Sequence, residues 1–389
     1  MEQRVLKLYF TTFFLLLFGC KKQTSDGLIV FDVNGNYPVK MLDIEDVADI
    51  EYLTLEINDD FLFSYYSEMT DNYILCTGEK EIIFFDRTTG KVASKISRYG
   101  NGPGEYYSSY CYAYNEKKDE LFNIDGYQIK VYGRDGTFKR QFPFLDTNFF
   151  IYRMFDFDED NLLLYGFPVR IFVSDDDGSM KDSTFMLVSK KDGFIEVIPI
   201  HFEERIAILF QQERVGDFAN VNPVICNGND FLLTDYSSDT VYRFTPDRKL
   251  IPVLIREPSI QKMNTKIFLH SWLETGKYLF FSTQKIDLDW KKWKWPPEKG
   301  YLMEKNSGKF FQTHIQMRDY KGYELILGPS VIFKTSSNHT GIVVWNVSEL
   351  QEANAANKLS GKLKEMTDRL DNDDEYVFMI LKFGIVKLE

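Results

Sequence analysis

The hydrophobic and polar positions of this chain recur in one repeated pattern. A polar turn precedes an apolar run of about five residues, and a polar break separates it from a second apolar run that ends at a turn with Asp or Gly. Short runs rich in Val, Ile, Phe and Tyr and bounded by Gly, Asp and Asn are typical of β-strands. Each copy of the pattern therefore predicts a β-hairpin.

The pattern occurs six times, at residues 72–90, 120–136, 161–193, 230–244, 277–308 and 341–381. Its basic period is about 45 residues, and strand-built repeats of this length indicate β-propellers. We therefore predict an all-β fold, a six-bladed β-propeller of four-stranded blades, over residues 28–389. Strand-like segments lie near both ends, and we expect them to share the last blade and so remove open sheet edges. These segments are residues 28–31, 50–55 and 378–387.

One stretch, residues 348–370, departs from the β pattern. Residues 348–351 have the spacing of a capping box, and apolar side chains then recur at helical intervals. These side chains are Leu359, Leu363, Met366 and Leu370. The pattern predicts a helical insertion in the last blade, interrupted at Gly361.

The N-terminus has the pattern of a secretion signal. Arg4 and Lys7 precede an uncharged run over residues 8–18, which is shorter than the ~20 residues of a spanning helix but long enough for a signal peptide. Residues 17–20, Leu-Phe-Gly-Cys, resemble the lipobox of bacterial lipoproteins, and the alternative is an ordinary signal peptide with a chance cysteine. The resemblance implies a signal peptide over residues 1–19, acylation of Cys20 and an anchor linker over residues 20–27.

Several acyl chains would hold such a protein stably on a membrane. We therefore expect a lipid-anchored protein of the cell envelope, at the outer membrane, on either its periplasmic or its external face. The formal net charge of −12 argues against nucleic acid as a partner, because a negative field repels phosphate. Besides Cys20 there are Cys76, Cys111 and Cys226, which we expect to be buried free thiols.

The connection after the first repeat carries a family resemblance. Residues 98–106 read Arg-Tyr-Gly-Asn-Gly-Pro-Gly-Glu-Tyr, similar to the inter-blade connection of NHL-type propellers. The whole chain resembles the six-bladed β-propeller lipoproteins of Bacteroidota, a likeness that implies fold and location but no activity. The glycines and proline suit a tight connection between blades. The alternative is a ligand site that uses Arg98, Glu105 or Tyr106.

Catalytic motifs are absent from the sequence. The four histidines are isolated, and no zinc, nucleophile-elbow or phosphate-loop spacing is present. We expect no cofactor, no metal and no catalytic residue. Acidic clusters at residues 156–160 and 175–179 offer oxygen ligands for Ca²⁺, but solvated turns are the simpler interpretation.

The most unusual local feature is a group of three tryptophans, Trp290, Trp293 and Trp295, in an insertion of the fifth repeat. In an extended segment Trp293 and Trp295 would point one way and Trp290 the other. We expect the insertion to form a contact surface, and the alternative is that the indoles only fasten the loop to its blade.

The sequence therefore favours a monomeric binding or scaffolding propeller with a glycan or an envelope protein as partner. The alternative is a glycan-acting hydrolase or lyase with carboxylates near the propeller axis. Two inward carboxylates facing each other across an axial pocket would favour the enzyme.

Overall fold

The structure is a computed structural model that describes residues 28–56, 65–78, 80–144, 149–168, 185–206, 209–212, 215–218, 222–325, 327, 340–370 and 376–384. Its first three strands are β1 (Ile29–Asp32), β2 (Val39–Asp43) and β3 (Ala48–Thr54). They precede the blades in the chain but pair with strands that come much later.

Each of blades 1–5 is built on four consecutive antiparallel strands. Blade 1 has β4 (Tyr65–Met69), β5 (Tyr73–Thr77), β6 (Ile82–Asp86) and β7 (Val92–Ile96). Blade 2 has β8 (Tyr112–Asn115), β9 (Glu120–Asp125), β10 (Gln128–Tyr132) and β11 (Phe138–Pro143). Blade 3 has β12 (Phe149–Asp156), β13 (Asn161–Pro168), β14 (Phe185–Ser189) and β15 (Ile195–Val197).

A two-stranded hairpin, β16 (Leu209–Gln212) and β17 (Val215–Phe218), follows blade 3. Blade 4 has β18 (Val224–Asn227), β19 (Asp230–Thr234), β20 (Thr240–Phe244) and β21 (Leu250–Glu257). Blade 5 has β22 (Ile267–Glu274), β23 (Tyr278–Lys285), β24 (Lys299–Glu304) and β25 (Lys309–Gln316), and the short β26 (Glu324–Leu325) pairs with β25. Blade 6 contains β27 (Thr340–Asn346), β28 (Tyr376–Phe383) and β3 among the described residues.

Together the blades form a ring, and the predicted six-bladed β-propeller is confirmed. The hairpins predicted from the sequence are the two middle strands of blades 1–5. First strands of neighbouring blades contact one another, as β8 does β12 and β18 does β22, which places them nearest the axis. In the outermost strands β7 and β11, buried or half-buried residues alternate with exposed ones, as expected for strands with one face in contact with water.

Hydrophobic clusters fill all six interfaces between neighbouring blades. Between blades 1 and 2, for example, Leu75 and Phe84 pack with Tyr112 and Leu121, and all four are at most 1% exposed. Cys76 is a buried free thiol as expected. Cys111 is also buried, whereas Cys226 is only half-buried, so the expected burial is wrong for Cys226. The fold is thus held by face-to-face packing of sheets around the ring.

Ring closure combines the two ends of the described chain. β3 pairs antiparallel with β28, with Ala48 opposite Phe383 and Thr54 opposite Val377, so the prediction for residues 50–55 and the C-terminal strand is confirmed. The prediction for residues 28–31 is wrong, since β1 pairs in parallel with β21 of blade 4.

The reason for the placement of β1 is packing at the next interface. Phe31 is fully buried in the cluster between blades 4 and 5, with its ring 4.7 Å from that of Phe281. β2 then pairs in parallel with β25 of blade 5. The N-terminal segment thus adds an outer strand to three blades in succession.

The helical insertion lies between β27 and β28 and consists of α1 (Val347–Ala355) and α2 (Gly361–Thr367). The predicted capping box at residues 348–351 is wrong, because the N-cap of α1 is Asn346, two residues before Ser348. This start buries Val347 and Leu350 against the cluster between blades 5 and 6. Single 3₁₀ turns lie at Ile44–Asp46 and Ile260–Lys262. In the described part of the chain, no helix has the length and apolar character needed to cross a membrane.

The strand order defines two faces of the ring. One face of the ring contains the starts of the inner strands, the turns from second to third strands and the connections between blades. We call it the loop face. On the opposite face polar side chains link neighbouring inner strands. Asn115 donates to Asp156 (2.6 Å), joining blades 2 and 3, and Asn227 donates to Glu274 (2.7 Å), joining blades 4 and 5.

Candidate functional site: the loop face

The glycine-rich connection between blades 1 and 2 lies on the loop face and uses its polar groups internally. The Arg98 Nε donates to the carbonyl oxygen of Gly136 (2.9 Å). The Glu105 carboxylate accepts from the Gly102 amide (2.7 Å), and Lys130 donates to the Glu105 carbonyl oxygen (2.5 Å). These contacts support the architectural interpretation of residues 98–106.

Tyr106 is the buried centre of this connection. Its side chain is 0% exposed, and its hydroxyl lies 2.9 Å from the carbonyl oxygens of both Lys80 and Ile96. The hydroxyl therefore fastens the connection to blade 1. A side chain held in this way offers nothing to a ligand on the surface.

Exposed aromatic side chains surround the same connection on the loop face. We call them the aromatic platform: Tyr99, Tyr107, Tyr110, Tyr127 and Phe150, which are between 39% and 65% exposed. The rings of Tyr99 and Tyr107 are stacked with centroids 5.8 Å apart, and those of Tyr110 and Phe150 with centroids 5.3 Å apart. The repeat pattern did not single out these residues, although four of them lie in connections and turns, where aromatic side chains have no expected role in the core.

The platform rests on a fixed backbone. Asp125 accepts hydrogen bonds from the amides of Tyr107 (3.0 Å) and Ser108 (3.2 Å), and Lys130 donates to the same carboxylate (2.7 Å). Tyr127 follows in the turn that Asp125 begins. Rings held by a preorganised backbone lose little conformational entropy when a ligand binds.

The tryptophan insertion, residues 289–298, joins β23 to β24 on the loop face, and we call it the Trp loop. It is not extended as predicted, because Asp289 pairs with Lys294 across a tight turn. Trp290 and Trp293 meet edge to face, with centroids 5.6 Å apart. The predicted opposite orientation of these two side chains is therefore wrong.

Trp293 and Trp295 also differ in environment. Trp293 is 48% exposed and has the unusual positive φ of 50°, whereas Trp295 packs against the hydrophobic cluster that contains Tyr236 and Phe268. The Trp loop thus presents one indole to solvent and packs another against the cluster between blades 3 and 4, which also contains Phe268 of blade 5. A bulky residue with positive φ is a strained conformation that is often found at functional sites.

Beneath the Trp loop lies a group of polar side chains that we call the buried polar cluster: Tyr236, His270, Ser282, Gln284 and Glu298. Ser282 donates to Glu298 (3.4 Å), and the His270 Nε2 lies 3.8 Å from a Glu298 carboxylate oxygen. Gln284 donates to the carbonyl oxygen of Pro296 (3.3 Å). The Trp loop therefore contributes directly to this cluster.

Aromatic rings enclose the imidazole. The centroid of His270 is 5.3 Å from that of Tyr236 and 5.5 Å from that of Trp272, which is nearly parallel to it. Trp272 donates its indole N–H to Ser282. His270 is 0% exposed.

Burial holds both ionisable groups of the cluster neutral. Desolvation lowers the pKa of His270 to about 3 and raises the pKa of Glu298 to about 8, the second against a smaller opposing effect of the Ser282 hydrogen bond. At pH 7 the pair is therefore a neutral imidazole and a protonated carboxyl rather than an ion pair. Burial likewise raises the pKa of the Tyr236 hydroxyl far above its usual value.

Several atoms of the cluster have no hydrogen-bond partner. Among the buried side-chain atoms of the described residues, the unsatisfied ones here are both ring nitrogens of His270, the Tyr236 hydroxyl and the Gln284 Oε1. An unsatisfied Asp235 oxygen lies one residue before Tyr236. Sequence reasoning missed this cluster; its one signal was a lone histidine in the otherwise apolar run of β22.

The acids of the described inner strands serve as links between strands and blades. Glu68 accepts from the Tyr114 amide (3.2 Å), Asp156 from Lys190 (2.5 Å), and Glu274 from Arg243 (2.7 Å). Each of these three carboxylates is thus engaged by a donor from a neighbouring strand or blade. No group of three metal-ligating side chains is present in the described residues; Cys20 and residues 175–179 lie outside them.

A comparison with protein families decides where this chain belongs. The model of the domain of unknown function DUF4934 matches residues 28–382. The chain is a member of the DUF4934 family. No curated protein matches it.

Solved structures similar to this DUF4934 protein share its fold at low identity. One is a Bacteroides fragilis protein whose description proposes export, with 15% identity, 92% of this chain and 99% of that one covered, and a TM-score of 0.60. Another is a member of the DUF4221 family from Bacteroides vulgatus, with 8% identity, 87% and 99% covered, and a TM-score of 0.53. Virginiamycin B lyase from Staphylococcus aureus reaches only 0.39, too low to bear on the activity of this chain.

Proposed function

We propose that this protein is an exported, lipid-anchored propeller that binds a neutral glycan through the aromatic platform. The observation that carries the proposal is the exposure of five aromatic rings on one face, four of them in stacked pairs. Exposed apolar patches of this kind are characteristic of interaction surfaces.

The chemistry of the platform suits sugar rings. Flat aromatic faces pack against the C–H faces of a pyranose, and tyrosine hydroxyls supply hydrogen bonds at the rim. The Lys80 ammonium lies 5.4 Å from the ring centroid of Tyr99, so a donor stands beside the stacked pair. The net charge of −12 disfavours polyanionic glycans by repulsion. We therefore propose a neutral glycan as the ligand.

The anchor rests on the sequence of residues 1–20 and on the fold relative whose description proposes export. Acylation of Cys20 would place the propeller at the membrane surface, with residues 20–27 as its tether. Cys20→Ala should then move the protein from the membrane fraction to the soluble fraction. Retention of this variant in membranes after a high-salt wash would contradict the anchor.

The binding proposal is tested by electrophoresis of the native protein through gels that contain xylan, galactomannan or starch. At least one of these neutral polysaccharides should retard the protein. Replacing Tyr107 and Tyr127, the two most exposed platform residues, by Ala should weaken the retardation about 30-fold or more, as expected for aromatic hot-spot residues.

A matched control is Phe194→Ala. Phe194 is 72% exposed but lies in the turn between β14 and β15, on the opposite face. This variant should be retarded like the parent protein. Equal loss in both variants, or no retardation by any of the polysaccharides, would overturn glycan binding at the platform.

A further inference from the structure

The loop face has a second feature that the aromatic platform does not explain. The Trp loop covers a set of buried polar atoms that have no hydrogen-bond partners, and this set lies at blades 4 and 5 rather than at blades 1–3. Buried polar groups are almost always satisfied in native proteins, so a local concentration of exceptions calls for an explanation.

His270, Tyr236 and Gln284 contribute four unsatisfied atoms, and each of the three residues is at most 8% exposed. The ring centroids of His270 and Tyr236 are 5.3 Å apart. His270 and Gln284 sit on the same face of blade 5, since His270 is opposite Ser282 in the β22–β23 ladder and Phe268 is opposite Gln284. His270 and Gln284 therefore lie on the side of blade 5 where the ring of Tyr236 contacts His270 and Pro296 of the Trp loop contacts Gln284.

We propose that the buried polar cluster is a binding site for a neutral polyhydroxylated small molecule, a monosaccharide, that enters when the Trp loop moves aside. This proposal is independent of glycan binding at the aromatic platform.

The donors and acceptors match hydroxyl groups. A neutral imidazole offers one donor and one acceptor, a tyrosine hydroxyl offers both, and the Gln284 Oε1 accepts. Each sugar hydroxyl can likewise donate and accept. The rings of Tyr236 and Trp272, with centroids 5.3 and 5.5 Å from that of His270, supply apolar surface of the kind against which a sugar ring packs.

The electrostatics select an uncharged ligand. The neutral states of His270 and Glu298 at pH 7 leave no net charge on the pair. Burial raises the pKa of the nearby Asp235 carboxyl, and the charge of Arg205 opposes this shift more weakly. A charged sugar would have to lose its hydration without gaining a counter-ion.

The Trp loop has the features of a cover. Its tip closes on itself, because the Asp289 carboxylate accepts from the amides of Lys291 (3.1 Å) and Lys292 (3.2 Å). Its far end contacts the cluster through Pro296 and Glu298. Movement of this segment would open the cluster without disturbing the blade ladders.

Thermal unfolding and intrinsic tryptophan fluorescence test the proposal, with glucose, galactose and N-acetylglucosamine as neutral probes. Glucosamine and glucuronate are the charged comparisons. A neutral sugar at millimolar concentration should raise the melting temperature and change the fluorescence of the Trp loop, and the charged sugars should do neither.

Two variants separate a ligand site from a structural defect. His270→Phe and Tyr236→Phe remove unsatisfied polar atoms, so each should raise the melting temperature of the free protein by about 2–4 °C and weaken sugar binding at least tenfold. The more conservative Tyr236→Phe keeps the test valid if His270→Phe does not fold. The control is Tyr132→Phe, which removes an unpartnered hydroxyl in blade 2 and should leave sugar binding unchanged.

Failure here is distinguishable from failure at the platform, because His270→Phe should be retarded by polysaccharide gels like the parent protein. If no neutral sugar shifts the melting temperature, or if His270→Phe and Tyr236→Phe bind sugar as the parent does, the buried polar cluster is not a ligand site.

Discussion

Two connections on the loop face, residues 98–106 and the Trp loop, differ in how well the polar groups in and beneath them are hydrogen bonded. Both lie at the loop-face ends of buried strands, and both contain proline and aromatic residues. In the first, the side chains of Arg98, Glu105 and Tyr106 all find hydrogen-bond partners. The second covers a histidine and a glutamine that keep unsatisfied atoms.

The difference shows where sequence resemblance is a guide to function and where it is not. The glycine-rich connection is the segment whose sequence suggested a family resemblance, and its side chains hold the connection in place. The Trp loop and the residues below it have no motif, yet they concentrate polar groups whose burial destabilises the fold. Proteins keep such costs mainly at functional sites.

The largest expected effect concerns the pH dependence of stability at Glu298. Its pKa in the fold is about 8 against an ordinary 4.5, so between these values the folded state holds a proton that the unfolded state releases. Stability should therefore fall as pH rises from 4.5 through 8, by about 5 kcal/mol in all. Denaturant unfolding of the parent and of Glu298→Gln should show that the variant lacks this loss.

His270→Phe is the mirror-image control. The pKa of His270 is about 3 in the fold and 6.5 ordinarily, so the unfolded state binds the extra proton and stability falls as pH drops from 6.5 towards 3. The groups that face this pair, Tyr236 and Ser282, stay neutral over the whole window. If the unfolding free energies of Glu298→Gln and the parent fall equally as pH rises from 4.5 to 8, Glu298 is ionised in the fold. The difference in buried polar groups between the two connections would then be smaller.

A smaller effect is expected for Gly104→Ala in the satisfied connection. Gly104 has φ +72°, and an added Cβ would lie 2.8 Å from the ring of Phe138. Left-handed backbone and overlap together should cost about 2–4 kcal/mol of stability. Gly126→Ala is the matched control, since Gly126 has φ +61° with nothing within 4 Å, and should cost about 1 kcal/mol. Equal losses of unfolding free energy in urea for the two variants would show that the Phe138 ring moves aside without cost.

Sequence patterns predicted the ring and its closure because strand periodicity and repeat length depend on local composition. The middle strands of each blade, the helical insertion and the pairing of residues 50–55 with the C-terminal strand were all accessible in this way. The parallel pairing of β1 was not, since it depends on Phe31 filling a space between two distant blades. The aromatic platform and the buried polar cluster were missed for the same reason: their residues come together only when the ring forms.

The smallest expected effect compares two buried tyrosines of one interface. Tyr106 and Tyr132 share the cluster between blades 1 and 2, with ring centroids 5.8 Å apart. The Tyr106 hydroxyl reaches two carbonyl oxygens, whereas the Tyr132 hydroxyl has no partner. Tyr106→Phe should therefore cost about 1–2 kcal/mol, and Tyr132→Phe should be neutral or stabilising.

Both substitutions remove one oxygen from an equally buried ring, so packing and desolvation of the ring are matched. The difference between the two unfolding free energies then measures what hydrogen-bond satisfaction contributes on this side of the loop face. Tyr236→Phe extends the series to the residues beneath the Trp loop. Because the Tyr236 hydroxyl is unsatisfied, this variant should behave like Tyr132→Phe and be neutral or stabilising. If Tyr236→Phe destabilises the free protein as Tyr106→Phe does, the Tyr236 hydroxyl has a hydrogen-bond partner in solution. The two connections would then not differ in hydrogen-bond satisfaction.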